Sequence, residues 1–231
     1  DCAADYIVSS YIPSITIQRK AQEQLQLSVH EHHKALLVAE SNALGFGALP
    51  HASAEVELIH NVLPKSVRVI DAVNEAVDME GTIKQFFDAS IVHMACHGRQ
   101  DKDDPLSSGF ILRNGILKIS DLMGLKIPNA SFAYLSACQS ATGDDMLPDE
   151  GLHLAAAMMF VGFPSVIGTM WPMNDEDGPV VAETVYKAMF KDGSGTIDYD
   201  AIPRALHTAA RRLREEGAHP SRWATYIHLG V

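Results

Sequence analysis

Two strand-like apolar runs in this sequence each end on a reactive side chain. The run IVHMACHG ends at His97 and Gly98, and the run SFAYLSACQS ends around Cys138. A cysteine thiolate can attack a peptide carbonyl, while a histidine positions the thiolate and then protonates the leaving amine. His97 and Cys138 therefore fit the base and nucleophile of a cysteine peptidase. Such a pair needs no metal and no cofactor.

The backbone around this pair fits the same chemistry. Gly98 has no side chain, so its amide can approach a developing oxyanion, and the amide of Cys138 can act as a second donor. Side-chain alternation turns Cys96 away from the face of His97, so Cys96 is interpreted as a small buried hydrophobe, and His93 as structural. Histidine and cysteine also end strands for packing reasons alone, and their order in the sequence leaves this alternative open.

The sequence around these residues predicts the strands and helices of an α/β fold. Apolar runs alternate with helical patterns, which indicates a sheet with both faces covered. Strands are expected at residues 5–13, 35–40, 67–70, 91–98, 131–140, 164–172 and 223–231, with a hairpin at 110–119 that turns at Asn114-Gly115. Helices are expected at 16–31, 52–61, 74–87, near 122–125, and at 151–163, 180–190 and 201–216. In such sheets active sites lie at the carboxyl ends of strands, where His97 and Cys138 fall.

Length, composition and net charge limit the number of domains and the kinds of partner that can be expected. With 231 residues and 47% hydrophobic content, the chain can bury one core, so a single domain over residues 1–231 is expected. The formal net charge of −11 disfavours nucleic acid as a partner. The start at Asp1, without a methionine, predicts that the sequence is the C-terminal part of a longer protein.

Cysteine usage and hydropathy indicate the compartment. The chain has three cysteines, Cys2, Cys96 and Cys138, which is too sparse a set for a secreted disulfide framework. A reducing, cytoplasmic location is therefore expected. No apolar stretch has the roughly 20 residues that span a bilayer, so no membrane partner is expected.

Other residue clusters lack a complete motif. His30-Glu31-His32-His33 has Lys34 where a zinc-peptidase motif needs its second histidine. Residues 192–200 lack the glycine and the glutamate of an EF-hand calcium loop, and no phosphate-binding loop is present. The sequence therefore predicts no metal site and no nucleotide site at these positions.

Two acidic stretches flank the expected cleft. Asp101, Asp103 and Asp104 follow His97 in the sequence, and Asp144, Asp145, Asp149 and Glu150 follow Cys138. Their summed field can attract basic substrate segments. Solvated loops and weak calcium binding are alternatives that the sequence leaves open.

Four blocks of sequence resemble a known family. In chain order they are HMACHG, LSACQS, DEGLHLAAAMMFVGFPSVIGTMWPMNDED and HPSRWATYIHLG. Together they resemble the CHAT domain, a caspase-like and separase-like cysteine peptidase domain often found behind TPR repeats. The resemblance implies His97 as the catalytic histidine, Cys138 as the nucleophile, a caspase-type, mostly parallel sheet and a protein substrate. It also implies an upstream TPR or other regulatory region.

One departure from related families bears on specificity. Ser136 stands where caspases carry the glutamine of Gln-Ala-Cys, so specificity for aspartate is not implied. The WPMNDED loop instead resembles the acidic loop of separases, in which an aspartate receives a basic P1 side chain. By that resemblance Asp175, with Asp177 as second choice, forms the floor of an S1 pocket for arginine or lysine. Residues 174–177 also fit a solvated helix start, and a pocket for an apolar side chain is a further alternative.

The favoured function is therefore a cysteine endopeptidase that acts on a protein. A catalytically silent, caspase-like interaction module is the alternative from another class. A flavodoxin-like or Rossmann-like binder of small molecules shares the sheet, but this sequence lacks the phosphate loop that such a binder needs.

Overall fold

The computed structural model describes residues 3–27, 33–99, 101, 103–125, 127–139 and 151–231. The strands are β1 (Lys34–Ala39), β2 (Arg68–Val73), β3 (Ile91–Arg99), β4 (Gly109–Leu112), β5 (Gly115–Lys118), β6 (Phe132–Gln139), β7 (Ser165–Thr169) and β8 (Tyr226–Gly230). The helices are α1 (Ile15–Leu27), α2 (Ala52–Val62), α3 (Met79–Asp88), α4 (Ile119–Met123), α5 (Gly151–Phe160), α6 (Gly178–Met189), α7 (Ala201–Glu215) and α8 (Pro220–Trp223). The predicted α/β fold is confirmed.

The strands form one mostly parallel sheet. Its order is β2-β1-β3-β6-β7-β8, and β8 runs antiparallel to β7. The β4–β5 hairpin joins the carboxyl end of β3 through an antiparallel pairing with β4. Because β3 and β6 are parallel neighbours at the centre of the sheet, their carboxyl ends lie at one edge.

Helices cover both faces of the sheet, which explains why its strands are nearly continuous apolar runs. Leu36, Met94 and Cys96 pack on one face in a core that α5 completes. Leu37 and Ala95 pack on the other face, in a core shared with α2, α6 and α7. Cys96 is fully buried, so its interpretation as a small buried hydrophobe is confirmed.

The helices follow the spacing of their apolar residues. Along α7 the buried positions recur every three or four residues, at Ile202, Ala205, Leu206, Ala209 and Leu213. This spacing places them on one stripe of the helix, which packs on the sheet while the charged residues face outward. No helix in the part of the chain that the structure describes is long and apolar enough to cross a bilayer.

The predicted first strand at residues 5–13 is wrong. Residues 3–5 form a 3-10 turn, and Tyr11 alone makes a bridge, to Leu229 of β8. Tyr6 is 76% exposed and Ile7 is 56% exposed. The segment runs along an outer strand of the sheet and finds no second neighbour, so its strand-like composition does not produce a strand.

Two predicted elements are confirmed with shifted boundaries. The hairpin forms, but Arg113 and Asn114 make its turn and Gly115 already belongs to β5, opposite Leu112. Asn114 Oδ1 accepts a hydrogen bond from the Met79 amide, which fastens this turn to the start of α3. The helix predicted from residue 74 begins only at Met79, because Asp78 caps it by accepting from the Gly81 amide.

Candidate active site

β3 and β6 bring the two candidate reactive residues to neighbouring backbone positions. In the register of this parallel pair, His97 lies opposite Cys138. Neighbouring strands are about 4.8 Å apart, and side chains alternate between the two faces of each strand. Laterally paired residues of parallel strands therefore project to the same face. The structure describes the backbone of Cys138, and the side chain lies outside the described part.

The imidazole of His97 is held by the loop between β1 and α2. Its Nε2 lies 2.7 Å from the carbonyl oxygen of Gly47, and the Phe46 ring stacks on it with 5.2 Å between ring centroids. A carbonyl oxygen can only accept, so Nε2 carries a proton. His97 Nδ1 is buried and has no hydrogen-bond partner among the described residues. In a neutral imidazole this second nitrogen is the basic one.

Sequence reasoning missed Gly47 and Phe46 as parts of the site. The stretch Gly45-Phe46-Gly47 is interpreted from the sequence as a flexible loop. Every residue has a backbone carbonyl, so the residue type at position 47 does not show that this carbonyl orients a histidine. Only the position of the loop in the fold could have indicated its role. The loop follows β1, which is the parallel neighbour of β3, so it emerges at the same edge of the sheet.

Gly98 continues β3 beyond His97. It is buried, and it is paired with Phe110 of β4 on one side and with Gln139 of β6 on the other. Its backbone therefore lies beside the end of β6 that carries Cys138. The role of its amide as an oxyanion donor stays a prediction.

The two candidate pocket aspartates have different surroundings. Asp177 is 3% exposed, and both of its oxygens accept from the guanidinium of Arg222. This hydrogen bond and the negative charge of Asp177 raise the pKa of Arg222. Asp175 is half-buried, and its Oδ2 accepts from the His51 amide at 2.9 Å and lies 2.8 Å from His51 Nδ1. His51 ends the loop that carries Gly47, so one loop contacts both His97 and Asp175.

The segment 170–177 is fastened to the residues around α8. The Met170 amide donates to the Thr225 carbonyl, and Thr225 Oγ1 donates to the Trp171 carbonyl at 2.7 Å. Trp171 Nε1 donates to the Ser221 carbonyl at 2.7 Å. Together with the Asp177–Arg222 pair, these bonds join the WPMNDED and HPSRWATYIHLG blocks of the sequence.

A family model identifies the family of this chain. The model of the CHAT domain matches residues 3–231. The chain belongs to the CHAT domain family. No curated protein matches this sequence.

Two of the solved structures with a similar fold are those of gingipain R and of separase. The CHAT domain is similar to the Arg-specific cysteine proteinase gingipain R, with a TM-score of 0.58 and 12% identity over 90% of this chain and 51% of that chain. It is also similar to Saccharomyces cerevisiae separase in its complex with securin, with a TM-score of 0.63 and 14% identity over 97% of this chain and 14% of that chain. The chain therefore spans about half of gingipain R and a small part of the separase structure, and it has a caspase-like cysteine peptidase fold.

The first acidic stretch of the CHAT domain is a structured loop. Asp101 Oδ1 accepts from the amides of Asp103 and Asp104, and Asp104 accepts from the amide of Leu106 and the hydroxyl of Ser107. These bonds shape the turn and fit the interpretation as a solvated loop. The second acidic stretch, with Asp144, Asp145, Asp149 and Glu150, lies outside the described residues.

The structure describes the remaining candidate clusters only in part. Residues His30, Glu31 and His32 lie outside the described part, and His33 Nδ1 makes a buried contact of 3.1 Å with Ser90 Oγ. Asp192 bonds to the amide and hydroxyl of Ser194. Among the described residues, no group of three or more His, Cys, Asp or Glu side chains is arranged to hold a metal ion.

Proposed function

We propose that this CHAT domain is a cysteine endopeptidase that cleaves a protein substrate through Cys138 and His97. The observation that carries the proposal is the pairing of these two residues across β3 and β6, with the imidazole of His97 held by Gly47. With a proton fixed on Nε2, the free Nδ1 is the nitrogen that accepts the proton of the Cys138 thiol.

The proposed reaction proceeds in two stages. The Cys138 thiolate attacks the scissile carbonyl carbon, and the oxyanion that forms accepts from the amides of Gly98 and Cys138. His97 returns the proton to the leaving amine, which leaves a thioester on Cys138. Water, deprotonated by His97, then attacks the thioester and releases the acid product together with the free thiol.

We further propose that Asp175 receives a basic P1 side chain. Asp177 is the weaker choice because Arg222 already occupies both of its oxygens. Asp175 keeps one oxygen, Oδ1, for which no hydrogen bond is recorded within the described residues, and it is adjacent to the loop that holds His97. Gingipain R, which has the same fold, is an Arg-specific proteinase, and this supports the same preference here.

The experiment that tests the function compares new protein N-termini produced in a proteome by the wild-type chain and by two variants. Cys138→Ala and His97→Ala are each expected to abolish the cleavages while circular dichroism and the melting temperature stay close to wild type. Cys96→Ala is the matched control, because Cys96 packs on the opposite face of the sheet and should leave cleavage intact. The same new N-termini with wild type and with both dyad variants would contradict the proposal, and no new N-termini from the wild-type chain would favour a silent interaction module.

A further inference from the structure

A buried polar cluster lies beneath the proposed dyad. Glu55 of α2 is 2% exposed and His93 of β3 is fully buried. Glu55 Oε1 lies 3.1 Å from His93 Nε2, without a hydrogen bond between the two atoms. Glu55 Oε2 accepts a hydrogen bond of 3.0 Å from Ser136 Oγ of β6. One carboxylate thus connects the two strands that carry His97 and Cys138.

The cluster lies on the two strands of the proposed dyad. Ser136 is two residues before Cys138 on β6, and His93 is four residues before His97 on β3. Side chains alternate along a strand with a period of two, so Ser136 and His93 occupy positions in phase with Cys138 and His97. At a rise of about 3.3 Å per residue, the backbone of Ser136 lies roughly 7 Å from that of Cys138. The carboxylate contacts β6 through Ser136, two residues before the candidate nucleophile.

The surroundings of Glu55 are built to keep a carboxylate in the core. A Cβ added to Gly178, the first residue of α6, would lie 2.5 Å from Glu55 Oε2, so the carboxylate fills the space that a side chain would need. The amino end of a helix favours negative charge. A buried carboxylate without polar partners is strongly destabilising. The bond from Ser136 therefore holds the carboxylate between α2, β6 and the amino end of α6.

The other titratable groups around Glu55 are His93, Tyr134, Tyr186 and, next to Tyr134, Tyr226. Burial raises the pKa of Tyr186 well above its usual value, and the negative charge of Glu55 raises it further. Burial, Tyr226 and Glu55 together raise the pKa of Tyr134 in the same way. Tyr134 and Tyr186 therefore stay neutral at physiological pH.

We propose that Glu55 is a positioning residue for the dyad, which acts on Cys138 through Ser136 and the end of β6. The inference rests on the proposed function, because it assumes that His97 and Cys138 react as a pair. The hydrogen bond from Ser136 to Glu55 attaches β6 to α2 at a position two residues before Cys138. A negative charge on Glu55 would also oppose formation of the thiolate at Cys138.

The test measures the rate of Cys138 alkylation by iodoacetamide as a function of pH, read by peptide mass spectrometry so that the other cysteines do not interfere. Glu55→Gln keeps the shape and an oxygen that accepts from Ser136, but removes the charge. Its profile is expected to move about one unit to lower pH, because a neutral side chain does not oppose formation of the thiolate. Glu57→Gln, on the exposed side of α2, is the matched control and should leave the profile in place.

A second variant covers the case in which Glu55→Gln fails to fold. Ser136→Ala keeps the carboxylate and removes its bond to β6, and it is expected to slow alkylation at pH 7 about threefold, the value of one hydrogen bond. Coincident profiles for wild type and Glu55→Gln, or an unchanged rate in Ser136→Ala, overturn the proposal. Failure of the proposed function looks different: wild-type Cys138 would then react as an ordinary thiol, with a pKa of about 8.5 and no response to His97→Ala.

Discussion

At the scale of single residues, the orientation of His97 determines what this site can do. The Gly47 carbonyl accepts a hydrogen bond from Nε2–H of His97, and Phe46 covers one face of the ring. Nδ1 is left without a partner among the described residues, and the ring has little freedom to turn. General-base catalysis depends on this geometry, because a rotated imidazole cannot reach the thiol. The β1–α2 loop is therefore as important to the proposed reaction as the strands that carry the dyad.

Phe46 provides a test of this orientation. Phe46→Ala removes the stacked ring and is expected to lower kcat about fivefold with little change in KM, because an aromatic pair contributes about 1 kcal/mol. Leu44→Ala is the matched control, since Leu44 belongs to the same loop but is 88% exposed. Equal losses in the two variants would show that the loop acts through its general stability and not through the ring.

Asp175 provides a test of specificity. Asp175→Asn keeps an acceptor for His51 but removes the charge, so kcat/KM for substrates with arginine or lysine at P1 is expected to fall about 100-fold relative to apolar P1 substrates. Glu176→Gln, at the exposed neighbouring position, should leave the preference unchanged. The same cleavage-site profile for Asp175→Asn and wild type in a peptide library would contradict the proposed S1 pocket.

At the scale of elements, β8 fastens the N-terminal segment to the sheet. Its His228 is buried, with Nε2 at 2.8 Å from Ser165 Oγ of β7 and Nδ1 at 2.7 Å from Ser10 Oγ. Burial lowers the pKa of His228 from 6.5 to about 4. The imidazole is therefore neutral in the folded protein, and its two hydrogen bonds join β7, β8 and residues 10–11.

This histidine makes stability depend on pH. The unfolded chain binds a proton at this histidine near pH 6.5, whereas the folded chain binds it only near pH 4. The contribution of His228 to the free energy of unfolding is therefore complete above about pH 6.5 and is lost as the pH falls from 6.5 towards 4. Between pH 7 and pH 5 the free energy of unfolding should fall by about 2 kcal/mol from this group alone. Urea unfolding at both pH values should show this loss in wild type and in a His207→Gln control, but not in His228→Gln. An equal loss in all three proteins would contradict the assignment.

The elements also show what sequence can and cannot predict. β3 and β6 are predictable because burial on both faces produces uninterrupted apolar runs, and their reactive ends identify the edge of the sheet. Residues 5–13 are also rich in residues that favour strands, but among the described residues they border a single strand, β8. Their composition therefore predicts a strand that does not form. Gly47 contacts His97 through its backbone carbonyl, and Glu55 contacts Ser136, which is distant in the sequence. Neither contact can be predicted from the residues next to it in the sequence.

At the scale of the whole molecule, the CHAT domain shares its fold with much longer proteins. It covers 51% of the gingipain R chain and 14% of the separase chain. The proposal of an upstream TPR or other regulatory region stays a prediction, because it concerns sequence beyond this domain. Within the domain, the central claim is that His97 activates Cys138 at the shared edge of β3 and β6.

Labelling by a peptidyl electrophile with arginine at P1 tests that claim most directly. In wild-type protein the probe is expected to modify Cys138 selectively and stoichiometrically, and in His97→Ala the rate should fall at least 100-fold, because the thiol then lacks its base. Labelling of Cys138 at the same rate with and without His97, or no preference for Cys138 over the other cysteines, would contradict the account.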